Sequence, residues 1–311
     1  MKTTLLLGAS GFLGKQVVKE FSGYTNAYLL TPTSKQLDLT SESSTLDYFH
    51  QHRPNNILHM SAYVGGIGKN LDNPFNMLYL NSKMAMNIFT AIDKYGCDYF
   101  CGLGSVCMYS SECPVPFKEE DMLKSEPHFS NAPYGNSKRF LLSLFQSYRR
   151  EHPGFKSSFL VPINLMGPGD NFDLRNSHVV PALIRKFVTA VDSDVDTVYC
   201  FGTGEASREL LHSRDCARAI VNTMIKEIDY PEPINIGTGQ SILIKDLAAL
   251  IASLTGFQGE IVFTGEVGDG QFKRQLDVTR AKEVLGFSSS ITLIDGLKET
   301  IEWYKENKDK L

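Results

Sequence analysis

The sequence predicts an α/β protein: a doubly wound parallel Rossmann sheet joined to a smaller, mixed C-terminal substrate domain. Three observations carry this reading. Short apolar runs alternate with amphipathic stretches up to residue 165. A glycine-rich turn, GASGFLG, follows the first apolar run directly. Beyond residue 165 the alternation loosens into segments rich in glycine, proline and polar residues.

The elements follow in order. Residues 3–7 (TTLLL) read as a buried strand and 12–22 as a helix. AYLLT (27–31) is a second strand, 44–52 a helix, and NNILHMSA (55–62) a third strand. A long helix with apolar residues at helical spacing spans 74–95, and DYFCGLGS (98–105) is the next strand. Residues 134–151 read as a helix and 157–164 as a strand. A helix is expected at 178–190, another from about 214, and a strand at 232–239 that ends in a turn. The expected division is a dinucleotide-binding Rossmann domain over 1–165, with 208–236 returning to it. The substrate-binding domain then comprises 166–207 and 237–311. Length, 311 residues, suits two such units.

Composition excludes several classes. Hydrophobic residues make up 42% and charged residues 21%, with net charge −4, so no nucleic-acid partner is expected. The six cysteines show no CxxC pair and no metal-ligand spacing. They read as reduced thiols of a cytoplasmic protein, with no metal. The leucine run in MKTTLLLG is too short for a signal peptide, and no apolar stretch is long enough to cross a membrane.

Gly8, Gly11 and Gly14 form GxxGxxG between the first strand and helix. The pattern suits a dinucleotide: a tight turn, close backbone approach to the pyrophosphate, and tight helix–strand packing. Ser10, Phe12 and Leu13 lie in the same turn. The second strand leads into TPTSKQLDL and offers no acid before Asp38. An acid there would hold the ribose hydroxyls of NAD. Ser10, Thr33, Ser34 and Lys35 instead suit a 2′-phosphate, so NADP(H) is the expected cofactor, with Asp38 and Leu39 beside it.

Tyr134 and Lys138 are four residues apart on a predicted helix and share one face. A lysine ammonium beside the phenol is expected to lower the tyrosine pKa. Ser105, at the end of the 98–105 strand, is a candidate to bond the same substrate oxygen. Cys107 lies two residues on, and in an extended strand would face the same ligand as Ser105. His178 sits at a helix start, with Ser177 as the expected N-cap and Pro181 in the first turn. Asp215 and Asp277 read as structural.

These residues carry a resemblance. GxxGxxG, Ser105 and the Tyr134–Lys138 pair resemble the extended short-chain dehydrogenase/reductase family. SAYVGGIGKNLDNP, GSVCMY, NAPYGNSK, INLMGPGDNFDLRNSHVVPALIRKF and FGTGEASRELLH are similar to its GDP-L-fucose synthase branch, across nearly the whole chain. The resemblance implies a homodimeric, NADPH-dependent 3,5-epimerase and 4-reductase acting on a GDP-linked 4-keto-6-deoxy sugar. It implies Cys107 and His178 as the acid–base pair. It places Asn164, Val179 and Leu183 in the nucleotide pocket and Lys186 and Arg208 at the diphosphate. Arg274, where the family often has Lys, is a candidate for the diphosphate or the sugar. Phe201 stands where the family often has Trp. The helices 74–95 and 134–151 are expected to form a four-helix dimer interface, with Phe89, Phe140, Leu144 and Phe145 as its apolar residues.

Three rivals remain at this stage. One is a 4-keto reductase without epimerisation, on a GDP-4-keto-6-deoxy-hexose or -heptose. A second is a 4-epimerase that keeps its NAD, disfavoured by the missing acid. The third is an inactive relative that senses NADP or scaffolds a complex, disfavoured by the intact Ser105, Tyr134 and Lys138.

Overall fold

A computed structural model describes residues 2–24, 27–265 and 270–311. β1 (Lys2–Leu7) buries its last four residues, as a strand covered on both faces requires. α1 (Phe12–Phe21) and β2 (Ala27–Leu30) complete the first crossover unit. α2 (Glu42–His52) starts where Ser41 Oγ accepts the Ser44 N–H and leads to β3 (Asn56–His59). A short α3 (Ile67–Asp72) precedes α4 (Pro74–Tyr95), which opens on a proline in its first turn. β4 (Tyr99–Leu103), α5 (Ala132–Glu151) and β5 (Lys156–Pro162) follow.

The chain then leaves the sheet through β6 (Asn164–Met166), α6 (Val179–Asp192), β7 (Thr197–Cys200) and β8 (Ser207–His212). It returns with α7 (Ser213–Ile225), which packs beside α1, and β9 (Pro233–Ile236). The remainder is β10 (Ser241–Leu243), α8 (Ile244–Thr255), β11 (Glu260–Phe263), β12 (Lys273–Arg274), α9 (Thr279–Leu285) and α10 (Leu293–Asn307).

Six parallel strands run in the order β2-β1-β3-β4-β5-β9. The order reverses beside β1, and such a switch point opens a ligand crevice at the carboxyl ends of the strands. A smaller mixed sheet centres on β8, which pairs antiparallel with β10 and parallel with β6 and β12. β7 and β11 form a separate parallel pair. Two apolar cores match the two sheet systems. One surrounds the large sheet, and the other joins Ile184, Phe187, Leu247, Ile251 and Leu297 from α6, α8 and α10. Leu276, Ala281, Leu285 and Phe287 reach back into the larger core. Asp215, fully buried, accepts hydrogen bonds from Ser290 and Ile291 N–H (2.8 and 2.9 Å) and pins that returning segment to α7.

Three expectations are corrected. The fourth strand ends at Leu103, not Ser105. Gly104 N–H still bonds Leu160 O at 2.8 Å, but Ser105 Oγ then accepts the Cys107 N–H at 3.2 Å and starts the 3-10 turn Val106–Met108. Cys107 therefore sits in a turn, and strand alternation does not relate it to Ser105. The N-cap of α6 is His178, not Ser177. Ser177 N–H is already taken by Asp173 O (2.8 Å), closing the preceding turn, and its Oγ is buried without a partner. Phe89 and Phe145 are not interface residues, because both are buried in an aromatic cluster with Phe100 and Phe159. Phe140 and Leu144 pack partly against the same core.

Candidate active site

A cleft of about 1500 Å³ runs along the carboxyl ends of β1 to β5 and out to α6, β8 and β12. A single small ligand typically occupies roughly 300–1,000 Å³, so this cleft has room for two. Its walls gather Ser105, Cys107, Tyr134, Lys138 and His178 into one space.

At one end lie Gly8, Ser10, Gly11, Phe12, Leu13 and Gly14. A Cβ on Gly14 would sit 2.1 Å from Gly8 O, so only glycine lets α1 pack this close to the turn. No side chain caps α1, and its first turn holds no acid. Its free N–H groups and dipole therefore suit an anion. Pro32, Ser34, Asp38 and Leu39 continue this wall, whereas Lys35 is exposed and outside it. Asp38 Oδ1 accepts the Thr40 hydroxyl and N–H (2.7 and 2.9 Å), which hold its carboxyl below the usual range. These residues fit a dinucleotide with its pyrophosphate at α1.

In the middle, α5 presents Tyr134 and Lys138, both buried. The helix comes close because residue 135 is glycine: a Cβ there would lie 2.2 Å from Cys107 O. Lys138 Nζ donates to Leu103 O at 3.0 Å and lies 5.8 Å from the Tyr134 ring centroid. Burial pushes Lys138 down to about 8. Burial, and next the neighbouring Cys107, push Tyr134 above its ordinary value. The expected lowering of the phenol by Lys138 is thus outweighed: the ammonium points at a carbonyl, and desolvation of the ring oxygen dominates. His59, at the end of β3, is held down to about 3, first by burial and then by Lys138. It is therefore neutral and leaves Lys138 as the cation of this wall.

At the other end, His178 opens to the cleft but is crowded by protein. That crowding, and then the Arg274 guanidinium, hold its pKa below the usual histidine range. Asn164, Val179, Leu183, Lys186, Phe201, Arg208 and Arg274 all line the same space. Lys186 Nζ donates to Tyr199 O (2.7 Å) and stands 4.3 Å from the Phe201 ring centroid, a cation–π contact. Arg208 and Arg274 are both about nine-tenths buried, at 8% and 9% exposure, and face the cleft as fixed cations.

Three further polar residues in or behind this wall escape sequence reasoning. Asp170 lines the cleft, and burial pushes its carboxyl up to about 7. Asn131 lines it too, and Gln271 lies behind Arg274. For Asp170 the run GPGDNF was the available signal. Asn131 opens the NAPYGNSK run, but neither amide sits in a recurrent catalytic pattern.

Residues 4–237 match the NAD dependent epimerase/dehydratase family, a span that includes the whole large sheet apart from the start of β1. The chain belongs to that family. Within it, the chain is 33% identical to the GDP-L-colitose synthase of Yersinia pseudotuberculosis over 98% of both proteins. Two solved members of similar fold are a GDP-6-OMe-4-keto-L-xylo-heptose reductase from C. jejuni and a GDP-L-fucose synthetase from Naegleria fowleri bound to NADP. The first has TM-score 0.88 at 26% identity over 98% of both chains. The second has TM-score 0.89 at 26% identity over 99% of this chain and 95% of that one. These similar proteins are named as a synthase, a reductase and a synthetase of GDP-linked sugars.

Proposed function

We propose that the protein is an NADPH-dependent enzyme that epimerises C3 and C5 and reduces C4 of a GDP-linked 4-keto-6-deoxy sugar. The observation that carries this is the meeting of Ser105, Cys107, Tyr134, Lys138 and His178 in one cleft large enough for two ligands. The names of its relatives, including a solved neighbour bound to NADP, support the GDP-sugar and the cofactor.

A 4-keto group acidifies the protons at C3 and C5, because the carbanion left at either carbon is an enolate. Cys107 takes such a proton and His178 returns one to the opposite face. Lys186, Arg208 and Arg274 supply the fixed positive charge that a nucleoside diphosphate needs. Asn164, Val179 and Leu183 line its nucleotide pocket, and Phe201 closes over Lys186. Gly8 to Gly14, Ser34, Asp38 and Leu39 would hold NADPH, with the exposed Lys35 outside that wall as a charge for its 2′-phosphate, and the bound nicotinamide would supply the hydride. Tyr134 gives the proton to O4, Ser105 bonds the same oxygen, and Lys138 anchors the cofactor beside them. The cofactor domain is built on residues 1–165 and the segment returning up to 236, except that β8 at the start of that segment joins the substrate domain of 166–207 and 237–311, from which Leu276, Ala281, Leu285 and Phe287 pack back on the cofactor side. Reduced thiols fit a cytoplasmic enzyme. A homodimer through α4 is part of the reading, supported by exposed Phe75, Leu78, Tyr79 and Met86 on one face of that helix.

One observation favours a second reading, reduction without epimerisation. Crowding by protein, and then the Arg274 guanidinium, lower the His178 pKa and so disfavour its acid form, and solved neighbours are named reductases. Incubation with GDP-4-keto-6-deoxy-mannose in deuterated water, with and without NADPH, separates the two. Deuterium at C3 and C5 is expected. A reduced product free of deuterium at both carbons overturns epimerisation, and no NADPH consumption overturns the reading as a whole.

A further inference from the structure

Arg274 does more than add positive charge to the cleft, because its guanidinium is held from two sides. Its Nε donates to Gln271 Oε1 at 3.1 Å, and its Nη2 donates to Asn131 Oδ1 at 3.3 Å. The remaining Nη1 lies 4.0 Å from Cys107 Sγ. Gln271 is itself fixed: it is 1% exposed, and its Nε2 donates to Ser110 O at 2.9 Å. Ser110 lies three residues beyond Cys107, on the chain leaving the 3-10 turn. One amide therefore ties the guanidinium to the backbone that carries the thiol. Two acceptors fix both the plane and the rotation of a guanidinium, whose donors form a rigid fork. A lysine ammonium has no such fork to hold.

We propose that Gln271 is a positioning residue: with Asn131 it aims the Arg274 guanidinium at Cys107, so that the sulfur is held as the thiolate that removes the sugar proton. This rests on the assignment of Cys107 as base given above. In the step, the thiolate takes H⁺ from C3 or C5 and becomes a thiol. The C–H electron pair becomes the enolate, with its charge on O4. Protonated His178 delivers H⁺ to the opposite face, and exchange with solvent restores the thiolate and the imidazolium. Among the described residues, Arg274 on β12 and Tyr134 on α5 are coupled to the sulfur, and His178 at the start of α6 faces the same cleft. In general a fixed cation beside a thiol is the arrangement that favours thiolate chemistry, and an anion beside it the one that opposes it.

The test is the pH dependence of iodoacetamide alkylation at Cys107 in the full-length chain, followed on the Cys107 peptide by mass spectrometry. Gln271→Met keeps side-chain volume and removes both bonds. The alkylation midpoint should rise, and the rate at neutral pH should fall by about tenfold. Arg274→Gln, which removes the charge, should shift it at least as far. C3/C5 deuterium exchange should fall in parallel while the Kd for NADPH stays near wild type, which a merely structural role would not produce. A folded Gln271→Met protein with the wild-type midpoint overturns the proposal. If that variant does not fold, Asn131→Ser, which loosens the other arm, must raise the midpoint, and an unchanged midpoint there overturns it too. Cys107→Ser with undiminished exchange overturns the base assignment itself, while the alkylation shift still decides the clamp.

Discussion

Burial sets the charge states around the reacting centre. Tyr134 is protonated across the ordinary pH range because desolvation raises it, which suits an acid that delivers a proton rather than a base that removes one. Tyr134→Phe removes that proton and should slow 4-keto reduction by roughly 10²–10⁴-fold, the usual worth of a positioned acid. Isotope exchange at C3 and C5 should survive better, since Cys107 and His178 are untouched. Equal loss of both activities, in NADPH-consumption and exchange assays, would assign Tyr134 to binding. Lys138 behaves in the opposite sense. Its pKa is lowered to about 8, so its charge is present below that pH and lost above it. An anionic dinucleotide favours the charged form. Its affinity should therefore be level below pH 8 and weaken above it, by up to about tenfold per unit. Lys138→Met should flatten that slope in fluorescence titrations with NADPH. A wild-type slope in the variant would place the titrating group elsewhere, with Asp170 next in line because its carboxyl is pushed up to about 7 in the same cleft.

The elements decide which of these residues meet. The 3-10 turn after β4 packs closely on α5: a Cβ on Gly135 would lie 2.2 Å from the Cys107 carbonyl oxygen, and Arg139 Nε donates to Met108 O at 2.8 Å. Gly135→Ala should push that turn away from α5 without emptying the core. The expected outcome is a larger loss in C3/C5 exchange than in thermal stability, read by exchange assay and melting temperature together. Exchange at the wild-type rate would show that the turn tolerates the shift. The helix α5 was legible from its periodicity and from the Tyr134–Lys138 spacing. The turn was not, because GLGSVCMYS continues an apolar run and a serine side chain ends it locally by bonding two residues ahead. The start of α6 lies one residue later than expected: the Ser177 N–H closes the preceding turn on Asp173 O, and the extended residue that enters the helix is His178.

At the scale of the whole molecule, the parallel sheet and the cofactor turn were readable because each depends on local signals. A run of leucines, three glycines and an amphipathic helix carry them without help from the rest of the chain. The amide clamp was not readable, since Asn131, Gln271 and Arg274 meet only after some 140 residues of intervening fold. Apolar content alone also misassigned the outer surface: Phe89 and Phe145 proved to be core, and the exposed apolar face of α4 lies at Phe75, Leu78, Tyr79 and Met86. Phe75 and Tyr79 stack on each other with centroids 5.1 Å apart. If α4 is the dimer seam, sedimentation should show a dimer at micromolar concentration, and Phe75→Glu with Tyr79→Lys should yield a folded monomer. A monomeric wild type would remove the homodimer from the account.

In the proposed function, Cys107 gives this cleft a second chemistry beside hydride transfer. Cys107→Ser exchanges the thiol for a hydroxyl, a far weaker base, and leaves Ser105, Tyr134 and Lys138 in place. NMR of the sugar released from GDP-4-keto-6-deoxy-mannose and NADPH is the direct measurement. The expected product is 4-reduced but has skipped one or both inversions, formed while reduction continues. A fully inverted product at near the wild-type rate would contradict it and leave a plain 4-keto reductase whose thiol is packing.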